Sequence, residues 1–405
     1  MPTDETSANE PVLAGMRVVE LSAYVAAPLC GATLAELGAD VVRIDPPGGG
    51  VDYHRWPLHN GRSLYWMGLN QGKRSVCIDT RTARGRELVI DLIAAAGTCI
   101  TNLPLGEWMS YDVLRNRRED VVLLTIVGNP DGSVAVDYTV NAAIGFPWIT
   151  GPEDFDGPVN HVLPAWDVIT AHNAVSAILA AELRRSRTGR GANIELSLMN
   201  VALATASHLG LLAEAQLVQE PRARYGNFVY GTFGRDFRTG DGQYIMVVTL
   251  TPRQWRSLVA ATDTADEIAS LERDSRRDFL TEGDRFECRH DLAAVFERWI
   301  ASRPLEQVRE AFDRSGVLWG PYQTFKELVR DDPRAREGNP LMHRMPRSRI
   351  GDVFAAASPI ADVGTTPMQP TPEMGVDTRE VLSSWIQLPA AELDALERQK
   401  VLATS

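Results

Sequence analysis

The sequence predicts a large, open, doubly wound α/β domain accompanied by a smaller α+β domain. Three observations lead there. Strand–helix–strand spacing recurs through the first half of the chain. The strand segments are continuous apolar runs rather than alternating ones, the pattern of a parallel sheet covered on both faces. At 405 residues the chain is too long for one simple core, so two domains are expected.

The elements follow in order. Residues 16–21 are a short apolar run, 28–37 read as a helix that Gly38 stops, and 39–44 read as a second strand. Residues 75–78 are strand-like, and 85–95 place Leu88, Leu92 and Ala95 on one helical face. Residues 98–101 and 121–127 are further strands. An Ala-rich helix over 168–187 runs into Thr188-Gly189-Arg190-Gly191, where Gly189 reads as its C-terminal cap between the charges of Arg187 and Arg190. Residues 201–224 read as helical and then charged, with Pro221 as a break. Residues 244–250 form a strand, Thr251-Pro252 opens a helix, and 263–313 are charged and mostly helical. Residues 345–370 are Pro-rich and weakly patterned, and 390–401 read as an amphipathic helix. The smaller domain is expected at 224–322.

Composition narrows the function classes. A formal net charge of −12 argues against general nucleic-acid binding, which needs a basic face. Local cations at Arg43, Lys73, Arg74, Arg84 and Arg86 still allow an anionic small ligand. Cys30, Cys77, Cys99 and Cys288 form no CxxC pair and no metal spacing, and Cys77 and Cys99 read as small buried hydrophobes, as expected of a reducing cytosol. Residues 1–11 are polar and acidic with no apolar core of a secretory signal, and no apolar run is long enough to span a bilayer. A soluble, cytoplasmic protein with neither metal nor permanently bound cofactor is expected.

Asp167 is the leading candidate for chemistry. It stands directly before the Ala-rich helix, where a carboxylate caps the free N–H groups, is held ionised by the helix dipole, or serves as a nucleophile toward an acyl group. Gly48-Gly49-Gly50 follows the second strand rather than the first, so it reads as a flexible loop and not as a dinucleotide fingerprint.

Several segments together carry a resemblance. They are Gly15-Met16-Arg17-Val18-Val19-Glu20-Leu21, Ala27-Pro28, Leu37-Gly38-Ala39-Asp40-Val41-Val42-Arg43-Ile44-Asp45, Asn70-Gln71-Gly72-Lys73-Arg74-Ser75 and Arg187-Thr188-Gly189-Arg190-Gly191. In order and spacing the chain resembles the class III CoA-transferases, a family that also includes the α-methylacyl-CoA racemases. Within it, Asp137-Tyr138-Thr139-Val140-Asn141, the run from Asn160 to Asp167, and Tyr230-Gly231-Thr232-Phe233-Gly234-Arg235 resemble members that move CoA between the C1 and C4 carboxyls of one branched dicarboxylic acid, mesaconate.

The resemblance implies a Rossmann-like large domain built from both chain ends, 1–200 and a return segment 323–405, with the small domain between, in an interlocked homodimer. It implies that Asp167 is the catalytic aspartate, forming first an acyl anhydride and then an aspartyl-CoA thioester. Backbone N–H groups at the start of its helix are expected to hold the oxyanions. CoA, entering as part of the substrate, is expected along Val25, Ala26, Arg43, Lys73, Arg74, Asn102 and Leu103. After Asn102 the chain departs from the family, because Leu105-Gly106-Glu107-Trp108-Met109-Ser110 lacks the usual arginine. His161 and Arg235 are candidates for the free carboxylate, Arg235 ahead of Arg222 and Arg224, and Asp137 is either a substrate-side residue or a turn residue. Racemases carry a His–Asp pair where this chain reads Val136-Asp137, and a glutamate where it reads Thr251, so the bases for α-proton exchange are missing. The alternatives are an intermolecular CoA-transferase for another acid, a racemase, and a CoA-binding protein without catalysis.

Overall fold

The computed structural model describes residues 10–404 apart from 105, 348–349, 361–363 and 368. The acidic N-terminal stretch, up to residue 9, and Leu105 lie outside the described residues. The chain divides into two compact units: Met1–Ile144 with His161–Glu214 and Pro333–Ser405, and Gly145–Asn160 with Ala215–Asp332. The segment expected as the small domain, 224–322, lies within the second unit, which also takes in 145–160.

The first unit is built on a seven-stranded sheet. Its strands are β1 (Arg17–Leu21), β2 (Asp40–Asp45), β3 (Arg74–Ile78), β4 (Thr98–Thr101), β5 (Val122–Val127) and β6 (Ala192–Ser197), with the short strand Leu402–Ala403 at one edge. The order is Leu402–Ala403, β3, β2, β1, β4, β5, β6. Only the edge strand is antiparallel, pairing Leu402 with Ile78; the remaining ladders are parallel. The chain runs outward from β1 through β2 and β3, then returns to the other side of β1 at β4. The switch point of this doubly wound sheet therefore lies between β1 and β4, where ligands of such sheets bind outside the carboxyl ends of the strands.

Both faces are covered, which is why the strands read as unbroken apolar runs. Val18, Val41, Ile100 and Leu124 face α1 (Ala26–Glu36) and a long helix bearing Ala171, Ala174 and Ile178. Val19, Val42, Val76 and Cys99 face α2 (Ala83–Ala96) and the C-terminal helices that contribute Leu382, Trp385 and Leu396. Cys77 and Cys99 are buried free thiols. β6 escapes the sequence pattern because its run, with burial alternating from Ala192 to Ser197, is that of an edge strand. The segment at 345–370 is not wholly irregular: Met342–Arg347 and Gly351–Ala356 form a hairpin.

The second unit holds an antiparallel sheet of β7 (Phe233–Arg238), β8 (Tyr244–Thr249) and β9 (Leu318–Pro321), with β8 central. Phe233, Trp255, Phe279 and Phe296 meet at its core. Arg224 donates to the carbonyls of Phe155, Trp148 and Gly157 and so fastens the 145–160 segment to this unit.

Candidate active site

Two short-range facts set the site. The helix α3 (Asp137–Ala143) begins with a buried aspartate, 2% exposed. The helix α4 (Ala165–Thr188) begins after Pro164, whose ring has no hydrogen-bonding atom to cap it. Asp137 supplies the missing acceptor across the gap: its Oδ2 takes the N–H of Trp166 at 2.7 Å and that of Asp167 at 3.1 Å. Trp166 Nε1 donates to Asn141 Oδ1 at 3.2 Å and locks the two helices together.

Two sequence expectations change here. Asp167 is not the residue before the helix but lies in its first turn. The first-turn N–H groups are also not open for an oxyanion: Ala165 donates to Leu163 O, Val168 to Pro164 O, and the two between to Asp137. An acid at a helix start ordinarily bonds those groups itself. Because Asp137 has taken that role, the Asp167 carboxylate accepts no hydrogen bond among the described residues. It is half-buried, and burial, then the charge of Asp137, pushes its pKa up to about 7, with Arg55 opposing. Asp137 is also raised, by burial first, against the two N–H bonds and the charge of His161. His161 is half-buried, and its buried Nδ1 makes no hydrogen bond among the described residues.

The opposing charge on Asp167 comes from a group that sequence reasoning missed. Arg55 is exposed, and its guanidinium lies 5.4 Å from the ring centroid of Tyr24 and 5.2 Å from that of Tyr65. Tyr65 is raised above its ordinary value by burial, and the charge of Asp167 adds to that. Tyr24 sits in the turn after β1 at φ 64°, a conformation a bulky residue rarely adopts. Asn102 holds the turn, since its Oδ1 accepts the Ala23 N–H at 2.8 Å and its Nδ2 donates to Ala23 O at 2.7 Å. No residue-type pattern marks Arg55, because its neighbours come from three separate segments.

The residues expected to hold CoA divide into two groups. Val25, Ala26, Asn102 and Leu103 come together at the β1–β4 switch point, with Val25 and Ala26 buried at the start of α1 and Leu103 half-buried. Arg43 and Lys73 do not present charge to a phosphate. Arg43, 1% exposed, directs its donors to Asp45, Asp52, Asn70 and both oxygens of Ser22. Burial pulls its pKa down, but Asp45, Glu20 and Asp52 outweigh that and hold it above its ordinary value. Lys73 Nζ donates to Glu20, Asn70 and Pro28 O, and burial lowers it to about 8 against the pull of Glu20. All three ammonium hydrogens are engaged. A Cβ at Gly31 of α1 would stand 1.8 Å from Glu20 Oε2, so only glycine lets the helix lie over this buried cluster. Arg74 pairs with Asp40 at 3.2 Å and with Glu380, binding the helix Thr378–Ile386 to the sheet. Where the loop after Asn102 lacks an arginine, the exposed Arg86 of α2 lies 5.7 Å over the Trp108 ring.

Arg235 belongs to the second unit and lies on β7. There it stacks 4.9 Å over Phe228, and its Nε donates to Asp236 O. Arg222 stacks 4.0 Å over Tyr230. The two positions that would carry racemase bases hold other roles. Val136 is the residue before α3, and the Thr251 hydroxyl caps the helix Pro252–Thr262 by accepting the Gln254 N–H. Among the described residues no group of three His, Cys, Asp or Glu side chains is placed to hold a metal, and no single helix is long and apolar enough to cross a membrane.

The sequence profile of CoA-transferase family III matches residues 13–378. The chain belongs to this family. Membership of CoA-transferase family III makes it an enzyme of CoA-ester chemistry. A relative named 2-methylfumaryl-CoA isomerase, from Chloroflexus aurantiacus, is 45% identical over 400 residues, covering 97% of this chain and 98% of that protein. A succinyl-CoA–D-citramalate CoA-transferase of the same organism is 28% identical over 78% of this chain and 79% of its own length. A solved CAIB/BAIF family protein from Brucella suis shares the fold, with a TM-score of 0.77 at 25% identity over 93% of this chain and 100% of that one.

Proposed function

We propose that this CoA-transferase family III enzyme is an intramolecular CoA transferase that moves CoA between the C1 and C4 carboxyls of mesaconate, with Asp167 as nucleophile. The observation that carries the reading is the unengaged carboxylate of Asp167 beside a helix start already capped by Asp137. A nucleophile needs its lone pairs, and capping by another residue leaves them open.

The steps balance without a net proton. An Asp167 oxygen attacks the thioester carbonyl, the C–S bond breaks, and CoA leaves as thiolate, giving a mixed anhydride. The thiolate attacks the aspartyl carbonyl and expels the dicarboxylate, giving aspartyl-CoA. The second carboxylate of the acid then attacks this thioester, and the same two steps run backwards to release the isomer and Asp167. Each hard transfer is replaced by easier ones through a covalent intermediate. The relative named 2-methylfumaryl-CoA isomerase supports the intramolecular form; a family member named as a CoA-transferase between two acids supports the intermolecular alternative. Racemisation has no support from Val136 or from a capping Thr251. Arg86 beside Trp108 is the cation we assign to the nucleotide end of CoA, in place of the engaged Arg43 and Lys73. CoA enters as substrate, no resident cofactor takes part, and the working form is a homodimer.

The test is chromatographic. The protein is incubated with mesaconyl-C1-CoA, with and without labelled free mesaconate, beside Asp167→Ala. Formation of the C4 isomer without label uptake, lost in the variant, is expected. Label uptake by the native enzyme would favour the intermolecular form, and absence of the C4 isomer would overturn the assignment.

A further inference from the structure

Resting on that reading, we propose that Arg55 binds the free carboxylate of the dicarboxylic substrate and retains the acid between the two halves of the transfer. The requirement comes from the chemistry. While the acid is held as thioester or anhydride, one carboxyl is bonded to sulfur or to Asp167, and the other is a free anion. At the aspartyl-CoA stage the whole acid is unattached and both ends are anionic. Transfer stays intramolecular only if something holds the acid while its ends exchange places.

Arg55 is the group suited to this. Its guanidinium makes no ion pair and no side-chain hydrogen bond among the described residues, unlike Arg43, Lys73, Arg62 and Arg74 of the same unit. Its charge reaches Asp167 and favours the ionised nucleophile, and Tyr65, whose ring lies 5.2 Å from the guanidinium, feels the charge of Asp167 as well. The rings of Tyr24 and Tyr65 flank the cation, and a guanidinium is the group suited to bind a carboxylate bidentately.

The surrounding loop is built to hold Arg55 still. Its own N–H donates to Asp52 O and its carbonyl accepts from Ser63 Oγ. The Asp52 carboxylate is gripped by buried Arg43, and the neighbouring Tyr53 packs edge-on to Trp66 at 5.0 Å and accepts from Arg62 at 2.7 Å. Gly49, at φ 89°, lets the chain pass under Tyr53, whose ring a Cβ would meet at 2.7 Å.

The experiment compares native enzyme, Arg55→Lys and Arg55→Met in the C1-to-C4 assay with labelled mesaconate present, with CoA affinity measured by calorimetry as a check of the fold. In Arg55→Met we expect kcat/KM to fall about 10- to 100-fold, the size of a lost charge-assisted bond. In the turnovers that remain, label enters the product and free mesaconate escapes. Arg55→Lys, which keeps charge but loses the fork, should lie between. If the native enzyme isomerises and Arg55→Met does so at equal kcat/KM with no label uptake, the proposal is wrong. The same holds if kcat/KM falls while the product stays unlabelled and CoA binding weakens in step. If the native enzyme makes no C4 isomer, the reading of the reaction has failed instead, independently of Arg55.

Discussion

At the residue scale, the site depends on two aspartates with divided labour. Asp167 was legible in the sequence as an acid before an Ala-rich helix; the role of Asp137 was not, because an acid that caps a helix 30 residues away leaves no local pattern. Their coupling predicts a pH dependence. Asp167 attacks as carboxylate, and its pKa is held at about 7 by burial and by the charge of Asp137. The kcat/KM of the native enzyme should therefore rise with pH and level off above about 7. Asp137→Asn keeps an oxygen for the Trp166 and Asp167 N–H groups but removes the charge that raises Asp167. The acid limb should then move to lower pH with stability little changed. Asp137→Ala removes the charge and the cap together, so the same shift should come with a loss of about 1–2 kcal/mol in stability. pH–rate profiles and denaturation midpoints of both variants separate the two effects, and an unmoved limb in Asp137→Asn would sever the proposed coupling.

At the element scale, strands β1 to β5 could be read directly because burial on both faces forces unbroken apolar runs, whereas edge strand β6 and the hairpin over 342–356 carry no such signal. The charged residues inside those runs were harder. Arg43 in β2 and Lys73 just before β3 look from sequence like phosphate contacts, since nothing local reveals that Glu20, Asp45, Asp52 and Asn70 converge on them. A buried guanidinium serving three carboxylates is a structural hub, and removing it leaves acids buried without a partner. Arg43→Met should cost about 3–5 kcal/mol, read as a lower urea midpoint. A phosphate contact would behave otherwise, weakening CoA binding while leaving the midpoint of the free enzyme in place. The hub also fixes both loops of the site, through Ser22 in the β1 turn and Asp52 beside Arg55. Activity should therefore fall further than CoA affinity in any Arg43 variant that still folds.

At the scale of the whole molecule, the chain's end completes a unit begun at its start. Val381, Leu382, Trp385, Leu388, Leu393, Leu396, Val401 and Leu402 share one core with Val19, Val42, Val76 and Leu92. The Ser75 N–H donates to Asp377, and the Cys77 N–H to Thr378 Oγ1. The family resemblance pointed to this return, but periodicity alone did not, since a strand as short as Leu402–Ala403 has no period to read. Nor could the sequence assign 145–160 to the second unit, because the carbonyls that Arg224 grips carry no residue-type signal. Deleting residues 372–405 therefore tests how the units depend on the return. Each buried core side chain contributes about 1.5–3 kcal/mol, so losing eight removes a contribution as large as the roughly 5–15 kcal/mol that holds an ordinary domain folded. The unpaired edge of β3 would also be opened to other chains, and aggregation should follow. The core of the second unit lies wholly between Phe233 and Val317 and contains none of the deleted residues. In hydrogen exchange of the truncated chain, amides of β1 to β5 should lose protection while those of β7 and β8 keep it. Retained protection across β1 to β3 would mean that the first unit is specified by its N-terminal segments alone.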